Sequence, residues 1–369
     1  MTVGGKPIGV GLIGLSAEGG WAAAAHVPAL RAMPERYAIT GLAASTTEAA
    51  SAAAAAHGVA FATGDAAALA ARADVDLVVV AVKVPFHREL VAHAIEGGKS
   101  VYCEWPLGRS LVEAEKMADA ADARSVSAFA GLQARSAPAL RHLRDLVADG
   151  YVGELLSTNV IGAGGFPWGG MATARTAYVT DAETGATTLT IPFGHMVDAF
   201  AWILGGFDRL DATLVTRHRD VRLTDEDRSV AADAPDHIAV SGTLAGGAVA
   251  SLHYRGGDWP SGGFRWEMNG SKGTLIVEGD SGHLQYGHVR LRGARGTEPL
   301  ADLPAPAQYR RVTTDPDGYA DAVAHAYRAV HDDLTRGGST APTFRDAIET
   351  HRLLDRIERS AARSLEKTQ

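Results

Sequence analysis

Short β-branched runs alternate with helix-length segments through the first third of the chain. The apolar runs fall at 8–13, 37–43, 77–82, 99–103 and 126–132, and Leu77-Val78-Val79-Val80-Ala81-Val82 is apolar at every position. A strand of that kind is buried on both faces, so the rhythm predicts a parallel sheet covered by helices. Ser110, followed three residues later by Glu113, predicts a helix start just after Glu104-Trp105-Pro106. The alanine-rich piece at 49–56 reads as an ordinary helix, because alanine is the best helix former.

The pattern changes near Gln133. A helix at 138–149 ends at Gly150, and longer alternating strands follow at 154–162, 236–244, 248–254 and 264–269, with glycine-rich turns between them. One such turn is expected at 256–263. This succession predicts a mainly antiparallel sheet in an α+β arrangement. Thr343 with Asp346 opens a closing helix that carries Ile348, Leu354, Ile357 and Ala361 at helical spacing.

Length and composition narrow the function classes. At 369 residues the chain favours two domains. A net charge of -8, with no Lys/Arg-rich run, gives no footprint for nucleic acid or an anionic membrane. The single cysteine, Cys103, excludes an intramolecular disulfide and a cysteine zinc site, so no metal is expected and a reducing cytoplasm fits best. No apolar run resembles a signal peptide or approaches the roughly 18 residues that span a bilayer.

Directly after the first strand stands Gly14-Leu15-Ser16-Ala17-Glu18-Gly19-Gly20, the spacing of a dinucleotide fingerprint with serine in the middle glycine place. Small residues there let backbone and helix N-terminus approach a pyrophosphate. The expected fold is therefore α/β plus α+β: a Rossmann NAD(P)-binding domain over 1–132, then an α+β domain, expected to hold the substrate, over 133–369. After the second strand the chain reads Ala43-Ala44-Ser45-Thr46-Thr47, with no carboxylate to repel a 2′-phosphate. The cofactor is NADP or NAD, tilted toward NADP, with Ser45 and Thr46 as contacts.

The order of these signals resembles the glucose-fructose oxidoreductase / inositol dehydrogenase (Gfo/Idh/MocA) family. Within it the chain is most similar to the branch containing the yeast galactose-regulon repressor, which binds NAD(P) and acts through a partner protein. The likeness rests on Gly20-Trp21-Ala22, His26 with Pro28, Glu104-Trp105, Gly131-Leu132-Gln133, Gly150-Tyr151-Val152-Gly153, Phe193-Gly194-His195-Met196-Val197-Asp198 and Asn269-Gly270-Ser271-Lys272-Gly273. Two positions depart from the dehydrogenases of the family. Trp105 replaces the lysine of a Glu-Lys-Pro turn, and Ile191 stands where an aspartate precedes the histidine by four residues. An indole cannot relay a proton at physiological pH.

The resemblance implies a hydride transfer between nicotinamide and a hydroxyl or carbonyl carbon of a sugar-like compound. His195 is the expected proton acceptor, with Asp198 one helical turn away to hold its imidazole. Lys83 is the candidate to replace the missing lysine, provided that it is buried beside the nicotinamide. Trp105, Trp168 and Tyr178 offer aromatic faces to a sugar ring. The cofactor is expected to meet Gly14, Leu15, Ser16, Gly19 and Trp21, then Val82, Lys83, His87, Glu104 and Trp105. His87, at the head of a helix, reads as a structural or cofactor-edge contact. The alternative is an inactive NAD(P)-binding regulator, which Trp105 and Ile191 favour. The resemblance also implies a homodimer or homotetramer through the second-domain sheet.

Overall fold

The computed structural model describes residues 6–257 and 263–366, so 258–262 of the expected turn lie outside the described residues. Two compact units emerge, Met1–Ser136 with Arg311–Ile348 and Ala137–Arg310 with Glu349–Gln369.

The first unit carries six parallel strands: β1 (Ile8–Ile13), β2 (Tyr37–Ala43), β3 (Ala62–Thr63), β4 (Leu77–Val80), β5 (Ser100–Glu104) and β6 (Ala128–Gly131). Helices α1 (Val27–Arg31), α2 (Thr47–His57), α3 (Ala66–Ala70), α4 (His87–Glu96) and α5 (Leu111–Ala123) alternate with them. Every residue of β4 is fully buried, as its apolar run demands, although the strand stops at Val80 rather than Val82. The order β3-β2-β1-β4-β5-β6 reverses between β1 and β4. Such a switch point opens the crevice in which these sheets take a dinucleotide. At α5, Ser110 caps as expected by accepting from Glu113 N, while the Glu113 carboxylate reaches past the cap to Arg109 N.

The second unit begins with α6 (Pro138–Ala148) and is built on an eight-stranded sheet in the order β17-β16-β15-β14-β7-β13-β12-β9. These strands are β7 (Leu155–Ala163), β9 (Phe207–Val215), β12 (His237–Leu244), β13 (Val249–Arg255), β14 (Phe264–Gly270), β15 (Gly273–Gly279), β16 (Arg290–Arg295) and β17 (Ala301–Asp302). All pairings are antiparallel except β7 with β13. Along β13, Ala250, Leu252 and Tyr254 are buried while Val249, Ser251 and His253 are exposed, the alternation of a sheet with one solvated face. Helix α7 (Pro192–Leu204) packs on the buried face, where Phe200 lies 5.6 Å from both Phe207 and Trp266. A small sheet of β8 (Met171–Ala172), β10 (Asp220–Leu223) and β11 (Ser229–Ala231) completes the unit.

The chain then returns to the first unit. Helix α8 (Ala320–Arg336) places Val323, Tyr327 and Val330 in the core that holds Val10, Leu12 and Tyr37. Burying each such side chain contributes about 1.5–3 kcal/mol. Thr343 and Asp346 form the expected reciprocal cap of α9 (Phe344–Glu366). No helix of the described residues is long and apolar enough to cross a membrane.

Candidate functional site

The fingerprint loop is shaped by its glycines. A Cβ on Gly14 would meet Ala81 O at 2.3 Å, so only glycine lets β1 turn this close to the end of β4. Gly19 and Gly20 hold positive φ values of 99° and 106°, and nothing lies within 4 Å of the Cβ direction of Gly19. This bare backbone runs directly into a helix whose first turn has no side-chain cap. A helix start behind the unobstructed Gly19 fits a cofactor pyrophosphate. Ser16 Oγ accepts from Glu18 N, and Ser16 O faces His57 Nε2 at 3.0 Å. The Leu15 side chain is buried in the core, which leaves its backbone for the loop. Ser45 and Thr46 are exposed, with Thr46 Oγ1 capping α2.

Trp21 and His26 lie five residues apart, spacing that an α-helix would turn away from one another. Here the segment Ala22–His26 is a π turn, in which residues five apart stack one above the other. Both side chains consequently converge on Glu104, at the end of β5. Trp21 Nε1 donates to Glu104 Oε2 at 2.9 Å, His26 Nε2 faces Oε1 at 3.1 Å, and Gln133 Nε2 donates to Oε1 at 2.6 Å. The Nε2 approach to Glu104 is a close polar contact without hydrogen-bond geometry, whereas His26 Nδ1 and the Tyr327 hydroxyl pair at 2.6 Å. Glu104, expected as a cofactor contact, is thus 8 % exposed and surrounded by protein donors.

Two turns flank this carboxylate. His87 is buried with Nδ1 2.9 Å from Pro106 O and Nε2 3.0 Å from Val82 O, and so ties the β4 end to the Trp105 turn. Burial pushes its pKa below the usual 6.5, against the raising influence of those carbonyls. Trp105 is itself only 4 % exposed. Lys83 is exposed, so the burial expected of a lysine poised for proton transfer is not found.

In the second unit His195 sits in the first turn of α7 and is 3 % exposed. Burial, reinforced by His283, drives its pKa well below the ordinary histidine value, so the imidazole is neutral at physiological pH. His283 donates from Nε2 to Gly164 O at 2.6 Å and accepts at Nδ1 from Gln285 at 2.8 Å. Its ring stacks on Tyr286 at 5.0 Å and tilts against Trp168 at 5.1 Å. Asp198, the expected holder of the His195 imidazole, accepts from the Thr350 hydroxyl at 2.7 Å, and His283 adds to the lowering of the His195 pKa.

Trp168 also lines a small pocket, of about 20 Å³, with Thr180, Thr188, His218 and Asp236. Its indole N–H is buried and meets no acceptor among the described residues. Burial raises the pKa of Asp236, but donors from Arg217, His237 and His218 outweigh it and hold the carboxyl below its usual range. Tyr178 is half-buried in a 3-10 turn, with its pKa raised by burial, and is not among the lining residues. Sequence reasoning missed His283, Gln285, His218 and Asp236, whose roles depend on contacts across the sheet. His26 and Gln133 were visible in the family pattern, yet carried no role there.

Comparison with known proteins agrees with this division. Residues 8–132 match the family described as "Oxidoreductase family, NAD-binding Rossmann fold", and 138–279 match "Gal80p, C-terminal domain". The chain is 35% identical to dehydrogenase aclE of Aspergillus oryzae over 287 residues, covering 75% of this chain and 78% of that protein. It is 30% identical to the galactose/lactose metabolism regulatory protein GAL80 of Saccharomyces cerevisiae over 320 residues, covering 80% and 73%. The structure of a super-repressor form of that regulator superposes with a TM-score of 0.86 at 25% identity over 97% of each chain. Levoglucosan dehydrogenase, solved with NADH and levoglucosan, shares the fold, with a TM-score of 0.81 at 22% identity over 97% of this chain and 98% of that one.

Proposed function

The chain belongs to the Gfo/Idh/MocA family of NAD-binding oxidoreductases, and from that premise we propose that it is an NAD(P)-dependent dehydrogenase acting on a hydroxyl-bearing carbon of a sugar or sugar-like compound. The observation that carries this reading is His195, a buried imidazole kept neutral beside His283. A neutral ring nitrogen accepts the proton that a hydroxyl gives up on oxidation. Bound nicotinamide supplies the hydride acceptor. Trp168 offers an apolar face and an indole N–H to a sugar oxygen. Gly14, Gly19 and the uncapped helix hold the pyrophosphate, while Ser45 and Thr46 meet the adenosine ribose or its 2′-phosphate.

The outer face of the eight-stranded sheet, with Ile161 and Val249 more than half exposed, supports a homodimer or homotetramer through that face. A reducing, cytoplasmic setting accords with the single buried thiol of Cys103. The test is reduction of added NAD or NADP, followed by near-ultraviolet absorbance, with a panel of sugars. His195→Asn lowers turnover by roughly 100-fold to 10,000-fold, with nucleotide affinity retained. An equal loss of affinity or fold in that variant would make His195 a core residue only.

A second reading is a cofactor-binding regulator acting through a protein partner. Trp105 favours it, since a buried indole occupies the place of the family's lysine, and so does the likeness to GAL80. No sugar-dependent reduction by the native protein, together with saturable NAD(P) binding, is the outcome that would select it.

A further inference from the structure

Four segments far apart in the chain meet at Glu104, and they come from both halves of the nucleotide-binding sheet. Trp21 and His26 lie between β1 and β2, on the half that holds the adenosine end. Glu104 and Gln133 close β5 and β6, on the half that takes the nicotinamide end. Tyr327 of α8 backs His26 from behind and is tied in turn to Tyr37, whose hydroxyl donates to Tyr327 O at 2.6 Å. Gln133, His26 and Tyr327 are completely buried. With Trp21 and Gln133 donating to its two oxygens and His26 held 3.1 Å away, the carboxylate is fixed in a dry shell.

We propose that His26 is a positioning residue which, with Trp21, anchors Glu104 across the switch point and thereby couples the two halves of the dinucleotide site. The π turn is the device that makes this possible, because it alone brings both side chains onto one carboxylate. Glu104 precedes Trp105 directly, so a displaced carboxylate displaces the turn that serves the nicotinamide end. The adenosine end rests on the glycine loop and β2 and does not need the anchor. The inference depends on nucleotide binding and is independent of whether any sugar is oxidised.

Two conservative variants separate the contacts of His26. A glutamine amide reaches as far as Nε2 and can still donate to Glu104, whereas an asparagine amide reaches only as far as Nδ1, toward Tyr327. The affinities of NADH and of ADP-ribose, which lacks the nicotinamide, are compared by calorimetry for the native protein, His26→Asn and His26→Gln. The account expects His26→Asn to weaken NADH about tenfold, on the order of one close polar contact to a charged group, with ADP-ribose changed less than about twofold. His26→Gln stays close to native for both ligands. Equal weakening of both ligands in His26→Asn, no weakening of either, or the same behaviour from both variants would overturn the proposal. If His26→Asn does not fold, Trp21→Phe removes the other donor and must show the same split between NADH and ADP-ribose. Its absence would overturn the proposal as well. Native protein that binds neither ligand would remove the nucleotide premise itself, whereas failure of the sugar reading leaves NADH binding intact.

Discussion

The Glu104 cluster and the His195 cluster are both buried and both rich in histidine, but they are built to opposite ends. Around Glu104 each carboxylate oxygen meets a protein donor, and the His26 ring is hydrogen-bonded at Nδ1 and lies 3.1 Å from the carboxylate at Nε2. Around His195 a neutral imidazole stands beside a second histidine, and the nearby Trp168 indole keeps a buried N–H with no acceptor among the described residues. The first arrangement commits both carboxylate oxygens to protein donors. The second leaves polar capacity unused, which is what a site that must take up a hydroxyl and its proton requires.

The sharpest way to break the contrast is to remove Glu104. Glu104→Leu leaves the N–H groups of Trp21 and Gln133 buried without an acceptor, at about 1–3 kcal/mol each, so urea unfolding should show a loss of roughly 2–6 kcal/mol. A loss below about 1 kcal/mol would show that the cluster is open to water. Thr350→Val, which takes a donor from the buried carboxylate of Asp198, should cost about 1–3 kcal/mol and leave nucleotide affinity unchanged. Calorimetric titration with NADH checks the second half of that expectation.

Acid sharpens the comparison further. His87 in the first unit and His195 in the second have folded pKa values held below 6.5 by burial. Between the folded and unfolded values the unfolded chain binds more protons, so stability is full above about pH 6.5 and falls as the pH drops toward the folded values. Each histidine should contribute to that loss below about pH 6.5, and His195→Asn should remove its share from the stability profile. The smallest effect is expected at the adenosine end. Ser45→Asp should shift the NADP-to-NAD affinity ratio several-fold toward NAD by repelling a 2′-phosphate, and an unchanged ratio would remove Ser45 from that role.

The legible part of this structure is the part with local causes. The run Leu77–Val80 has one physical solution, a strand covered on both faces, and Thr343 with Asp346 marks a helix start by reciprocal bonding within four residues. The glycine loop was equally readable, because positive φ is required where Gly14, Gly19 and Gly20 stand. What the pattern did not carry is long-range pairing. His26 finds Tyr327 across 301 positions, and nothing in the periodicity of α8 says which core it will enter. Helical spacing placed Asp198 beside His195, yet the hydroxyl that Asp198 holds lies 152 residues away on α9. The position of Trp105 was evident from the sequence, whereas its near-complete burial was not.

The central claim, that this chain oxidises a sugar-like hydroxyl with His195 as proton acceptor, is tested most directly by NAD(P) reduction in three proteins on one sugar panel: native, His195→Asn and Trp105→Lys. The account predicts reduction by the native protein with at least one sugar, a fall of roughly 100-fold or more in His195→Asn, and lower activity in Trp105→Lys, where a cation replaces a buried ring. Reduction that is absent from the native protein and appears only in Trp105→Lys would contradict it.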